Sequence, residues 1–125
     1  MSHSLLNLEK ALQSLKKACA APITEDRDKA GIIKNFEFVY ELSGKSMKRK
    51  LEDEGQQTRS PREVIQKAFE FDYVKDESLW LQIIQDRNLA VHTYNQDLAD
   101  QLVDHIKTSY LIEFIRLFDF LMAGK

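Results

Sequence analysis

Backbone breakers and thiols are scarce in this chain. Its 125 residues include only four Gly, two Pro and one Cys. So few breakers leave too little turn chemistry for an all-β sandwich. Gly31, Gly44, Gly55 and Gly124 stand too far apart to build a GxGxxG or GxxxxGK[ST] phosphate loop. The lone Cys19 excludes an internal disulfide and any Cys-rich zinc site. No run reaches the roughly 18 consecutive apolar residues of a membrane-spanning helix. The first ten residues, MSHSLLNLEK, lack a basic segment followed by a cleavable apolar stretch. The expectation is a soluble, cytoplasmic chain with no membrane partner. A strong charge of one sign is missing as well. At a formal −2, whole-molecule charge does not drive binding to nucleic acid or membrane.

What is present reads as helix. Hydrophobic residues make up 43% and charged residues 30%, ordinary for a globular protein. One domain over residues 1–125 is expected, large enough to need no disulfide or metal as a staple. Leu5, Leu8, Leu12, Leu15 and Cys19 step by threes and fours along one helix face. Pro22 ends that stripe. Thr24 followed by Glu25-Asp26 reads as a cap before a second helix from about 25 to 54, carried by Ile33, Phe36, Tyr40, Ser43, Met47 and Leu51. Gly44 inside it costs about 1 kcal/mol against Ala unless something packs closely there. Gly55 reads as its C-terminal stop. Ser60-Pro61-Arg62-Glu63 is a helix start, with Ser60 as cap and Pro61 in the first helical position.

Val64, Ile65, Ala68 and Phe69 make this third helix short. Asp76 or Ser78 opens a fourth, with Trp80, Ile84, Arg87, Val91 and Tyr94 on one stripe until Asn95-Gln96-Asp97 breaks it. A fifth runs from about 97 to 123 along Leu98, Leu102, Ile106, Tyr110, Leu117 and Leu121. Four to five helices with short connections predict an all-α, up-and-down bundle. The last helix is apolar beyond one buried face, since between Tyr110 and Ala123 only Glu113, Arg116 and Asp119 are polar. Central burial and a subunit interface explain that equally well. Charge is also unevenly spread. Residues 45–62 carry a local +3 and residues 69–104 a local −6, either solvated faces or a docking surface.

The segment with chemical content is Asp86-Arg87-Asn88-Leu89-Ala90-Val91-His92-Thr93-Tyr94-Asn95. On a continuous helix Arg87 and Tyr94 share a face, while Asn88, His92 and Asn95 form a second stripe rotated by roughly 100°. Arg87 and His92 then lie about 7.5 Å apart along the axis. Their tips converge on one anion at the border of the stripes or with help from another subunit. A fixed cation stabilises charge on a phosphoryl group, and an imidazole moves protons near neutrality. Equally, Arg87 can pair with a carboxylate and His92 can cap the helix end.

Asp86-Arg87-Asn88, His92 and Tyr94 together resemble the R-x4-H-x-Y signature of HEPN domains. More narrowly, the chain resembles the nucleotidyltransferase substrate-binding family, the HEPN partners of minimal nucleotidyltransferases. Shared blocks are Phe36 to Leu42, Lys45, Ser60-Pro61-Arg62, Trp80-Leu81 and Asp86 to Asn95, in matching order from about residue 5 to 120. One departure is Gly44, where the family pattern has Trp before the lysine. The resemblance implies a HEPN-like bundle that forms a homodimer and is encoded beside a small nucleotidyltransferase in a two-gene, toxin–antitoxin-like module. It implies a metal-independent endoribonuclease site made of Arg87 and His92 with Asn88 in support, acting on RNA. It further implies that the partner transfers AMP to Tyr94. The alternative within the same family is a non-catalytic subunit that binds a nucleotide or other substrate, or a purely structural one.

Three other constellations carry less. Asp26-x-Asp28 has no Gly-Ser loop before it and reads as helix-start acids rather than a transferase site. His3 and His105 have no companions at ligand spacing, so no metal and no cofactor are expected. Glu37, Glu41 and Lys45 form an i, i+4 run that is a surface ion-pair series, or, on the family block around them, lines a cleft or docks the partner.

Overall fold

The structure, a computed structural model, describes residues 2–124. Six α-helices follow one another: α1 (His3–Ala20), α2 (Asp26–Asp53), α3 (Pro61–Glu70), α4 (Glu77–Leu89), α5 (Gln96–His105) and α6 (Leu111–Ala123). A short 3₁₀ turn at Ala90–His92 follows α4, and a π-helical turn at Ile106–Tyr110 joins α5 to α6 in one rod. Counted by rods there are five among the described residues, within the four to five that the periodicity predicts. They form an all-α, up-and-down bundle.

Side-chain caps place most of the boundaries. Ser2, Ser60, Asp76 and Asn95 accept from the backbone N–H three residues on, at 3.0–3.2 Å. Thr24 is not the cap of α2. That position belongs to Glu25, and Asp28 reaches back to accept from Thr24 N, Glu25 N and the Thr24 hydroxyl. Those bonds hold the Asp28 carboxyl below its ordinary range. α2 ends in a Schellman motif, with Gly55 at φ 83° and Gln56 N donating to Leu51 O at 2.8 Å. α3 ends in the same way on a non-glycine residue, Asp72 at φ 64°.

The long α2 is the spine, about 42 Å at 1.5 Å per residue. It packs against α1, α3, α5 and α6, and α3 in turn packs on α4. Phe36, Trp80, Tyr110 and Phe114 are fully buried at its centre. Phe36 lies 5.8 Å from Tyr110 and 6.0 Å from Phe114, and Trp80 meets Phe114 edge-on at 5.6 Å. Each such ring adds about 1.5–3 kcal/mol by burial. Tyr40, on the predicted stripe, is only half-buried, which leaves it beside the candidate site. The over-apolar C-terminal helix is mostly resolved by central burial. Tyr110, Phe114, Leu117 and Leu121 are buried and the flanking Ile115, Phe118 and Met122 pack against the same core, while Ile112 stays exposed.

Candidate functional site

Arg87 sits in the last turn of α4, and the structure departs there from a continuous helix through Asn95. The helix stops at Leu89 and tightens into the 3₁₀ turn. Thr93 Oγ1 then donates to Ala90 O at 3.1 Å, and Asn95 caps α5. β-branched residues and a competing threonine hydroxyl disfavour further α-helix here. The stripe Trp80-Ile84-Arg87-Val91-Tyr94 therefore breaks after Arg87. Trp80 is buried, but Val91 is 66% and Tyr94 82% exposed. Lys29 binds Asp100 at 2.6 Å and Gln96 reaches Asp26 at 3.4 Å, so the start of α5 is tied to the start of α2.

Arg87 turns inward to a cleft of about 280 Å³ that it lines with Glu37, Glu41, Phe38 and Thr93. Its Nε is buried and has no hydrogen-bond partner. Nor does Arg87 take part in any ion pair among the described residues. A buried, unpartnered guanidinium donor is unusual, because desolvating it without a partner costs free energy. Burial pushes the Tyr40 phenol up, and the nearby Arg87 charge offsets part of that shift.

His92 and Tyr94 meet on the outer side of the turn. Their polar atoms, Nδ1 and the phenol oxygen, are 3.3 Å apart, with the rings edge to face at 5.8 Å. Both side chains are exposed. Asn88 lies elsewhere, in a depression of about 570 Å³ with Arg62 and Gln85. Glu37 and Glu41 share the Arg87 cleft, whereas Lys45 lines a neighbouring one that includes Glu41. The structure thus joins His92 to Tyr94 and Arg87 to the two glutamates, and puts Asn88 apart.

A cluster invisible in the sequence backs the motif. Asp86 accepts from the Tyr110 hydroxyl in a short hydrogen bond and pairs with His105 Nδ1 at 2.9 Å. Burial, then the bond to Asp86, pushes the Tyr110 phenol well above its ordinary value. This contact depends on the π turn, which shifts the helical phase at Ile106–Tyr110. Thr108, whose hydroxyl donates to Asp104 O at 2.8 Å, is a local hint of that turn. Among the described residues no group of three or more His, Cys, Asp or Glu is placed to hold a metal, and no helix is long and apolar enough to cross a membrane.

Comparison with known proteins finds the family described as nucleotidyltransferase substrate binding protein like, matching residues 3–123. A Haemophilus influenzae protein named probable ribonuclease HepT is 36% identical over 104 residues, covering 75% of this chain and 71% of the relative. A solved Haemophilus influenzae structure, described as revealing the fold of a substrate binding domain of a nucleotidyltransferase, superposes with a TM-score of 0.86 at 32% identity. That match covers 94% of this chain and 98% of the other. A tri-AMPylated HEPN toxin of Shewanella oneidensis, in complex with its MNT antitoxin, superposes at 0.80 over 98% of this chain and 99% of that one. At 15% identity this last likeness concerns the fold alone.

Proposed function

The chain belongs to the nucleotidyltransferase substrate-binding family, and from that premise we propose that it is the HEPN-type ribonuclease subunit of a two-component module. Its partner in this reading is a minimal nucleotidyltransferase. The observation that carries the proposal is the buried Arg87 Nε without a partner, on the same short segment as the exposed His92 imidazole. An anion such as the RNA phosphodiester supplies the acceptor that Arg87 lacks. The name of the 36%-identical relative, probable ribonuclease, supports the same reading.

In the proposed reaction His92 takes the proton from an RNA 2′-hydroxyl as that oxygen attacks the adjacent phosphorus. The bond from phosphorus to the 5′-oxygen breaks, leaving a 2′,3′-cyclic phosphate and a 5′-hydroxyl. The imidazole of a second copy gives the leaving oxygen its proton, and Arg87 holds the charge on the phosphorane. Asn88, in its separate depression, contacts RNA rather than the imidazole. This chemistry requires two copies. The exposed Phe38, which lines the Arg87 cleft, and the exposed Val91 and Tyr94 of the motif supply apolar surface for that homodimer. No metal or cofactor enters these steps.

Regulation follows from the His92–Tyr94 contact. The partner transfers AMP from ATP to the Tyr94 phenol oxygen, with pyrophosphate leaving and His92 positioned to take the phenol proton. The new phosphodiester then lies against His92 and excludes substrate. A purely nucleotide-binding subunit is the alternative. RNA cleavage in EDTA separates the two. Wild-type protein shown by mass to be free of AMP should cut RNA, and His92→Ala should lose nearly all of it, since general acid–base catalysis contributes about 10²–10⁴-fold. Intact RNA with the unmodified wild-type protein transfers the site to the binding-subunit reading.

A further inference from the structure

Gly44 opens a second cleft, on the opposite side of Glu41 from Arg87. It measures about 290 Å³ and lies between α2, the segment before α3, and α3 itself. A Cβ added at Gly44 would meet nothing within 4 Å, so residue 44 borders open space. The close packing that would explain a glycine inside a long helix is absent. Helix propensity alone disfavours Gly at such a position by about 1 kcal/mol relative to Ala.

The walls are chemically uneven. Met47, Val64 and Ile65 are buried and make an apolar floor, and the half-buried Tyr40 forms one side. Above them stand Lys45, Lys48 and Arg59, with Glu41 as the one carboxylate. None of the three cations takes part in an ion pair among the described residues. Thr58 also lines the cleft, and its Oγ1 is buried with no hydrogen-bond partner. The N-terminal end of α3, at Ser60 and Pro61, faces the same space and favours negative charge. A few convergent polar groups over an apolar floor are the marks of a small-ligand site.

We propose that this cleft binds a small aromatic phosphate of mononucleotide size. The ring lies on Met47, Val64 and Ile65 against Tyr40, the phosphate is held by Lys45, Lys48 and Arg59, and Thr58 gains the partner it lacks. The floor selects a flat apolar group and the rim selects an anion, so neither half of the ligand alone satisfies the site. Only Glu41 is common to this cleft and that of Arg87. The inference is therefore independent of RNA cleavage, and binding here is a second property of the chain.

Titration calorimetry with AMP, adenosine and ribose 5-phosphate tests it. AMP should bind, and each fragment should bind at least about tenfold more weakly. Gly44→Trp fills the cleft with an indole and should abolish AMP binding without lowering the melting temperature. Lys45→Glu with Lys48→Glu should weaken AMP by about tenfold or more while the circular dichroism stays helical. His92→Ala should bind AMP as the wild type does. A 5′-phosphorylated oligoadenylate is the second arm: tighter binding than AMP assigns the ligand to an RNA end, weaker binding to a free mononucleotide. No AMP or oligonucleotide binding at about 1 mM overturns the proposal. So does binding that survives Gly44→Trp or disappears in His92→Ala. Absence of RNA cleavage leaves it standing.

Discussion

His92 Nδ1 lies 3.3 Å from the Tyr94 phenol oxygen, across a turn that ends one helix and begins the next. Two residues apart in sequence, they would point away from each other on a regular α-helix, where each residue rotates by about 100°. The 3₁₀ turn and the following bend bring them together.

That contact makes the two roles separable. Tyr94→Phe removes the phenol oxygen and leaves the imidazole. RNA cleavage should stay within about threefold of wild type, since the general acid–base group is intact. The added mass of AMP after co-expression with the transferase should vanish. A Tyr94→Phe protein that still gains AMP places the acceptor elsewhere.

Dimer formation is expected to run through the exposed apolar side chains at the motif. Sedimentation at micromolar concentration should give twice 14.6 kDa. Val91→Asp, at a side chain 66% exposed, should shift the chain to monomer and suppress cleavage with the fold intact. A wild-type monomer with full cleavage contradicts the two-copy site.

Gly44 within α2 and Gly55 just past its end should respond oppositely to alanine. Gly44→Ala meets open space on a helical backbone and should raise stability by about 1 kcal/mol. Gly55→Ala forces a Cβ onto a backbone at φ 83° and should lower it by about 1–2 kcal/mol. Urea midpoints with unchanged slopes are the measurement. A fall at both positions means that Gly44 is held by packing after all.

Alkaline pH should unfold the chain through its buried phenols. Burial first raises Tyr73 and Tyr110 above ordinary tyrosine, helped by nearby carboxylates and, at Tyr110, by its hydrogen bond to Asp86. A group raised in the folded state contributes stability below its unfolded pKa and loses it as pH rises toward the folded value. Stability should therefore be level up to about pH 9 and fall above about pH 10. Tyr110→Phe should flatten that fall in the urea midpoint. It should also cost about 1–3 kcal/mol at neutral pH, because Asp86 loses a buried donor. An unchanged alkaline slope in Tyr110→Phe removes this residue from the account.

Helix content, most boundaries and the family were legible in the residues themselves. Ser60-Pro61, Asp76, Asn95 and Gly55 act through contacts three to five residues away, and the Leu5 to Leu15 stripe reports its own buried face. The motif from Asp86 to Asn95 likewise marks the segment from which the site is proposed. Such signals survive in one dimension because the physics that produces them is local.

Only the tertiary structure decided how those residues meet. Arg87 turns into a cleft with Glu37 and Glu41 because α2 packs beside the end of α4's turn, and Asn88 falls outside because the helix keeps its phase up to Leu89. His105 joins Asp86, and Tyr110 with it, through a π turn whose phase shift no apolar period announces. The space at Gly44 is a property of α3 and the segment before it, far along the chain from α2's own pattern. Long-range packing sets these distances, and a repeat of threes and fours contains no information about them.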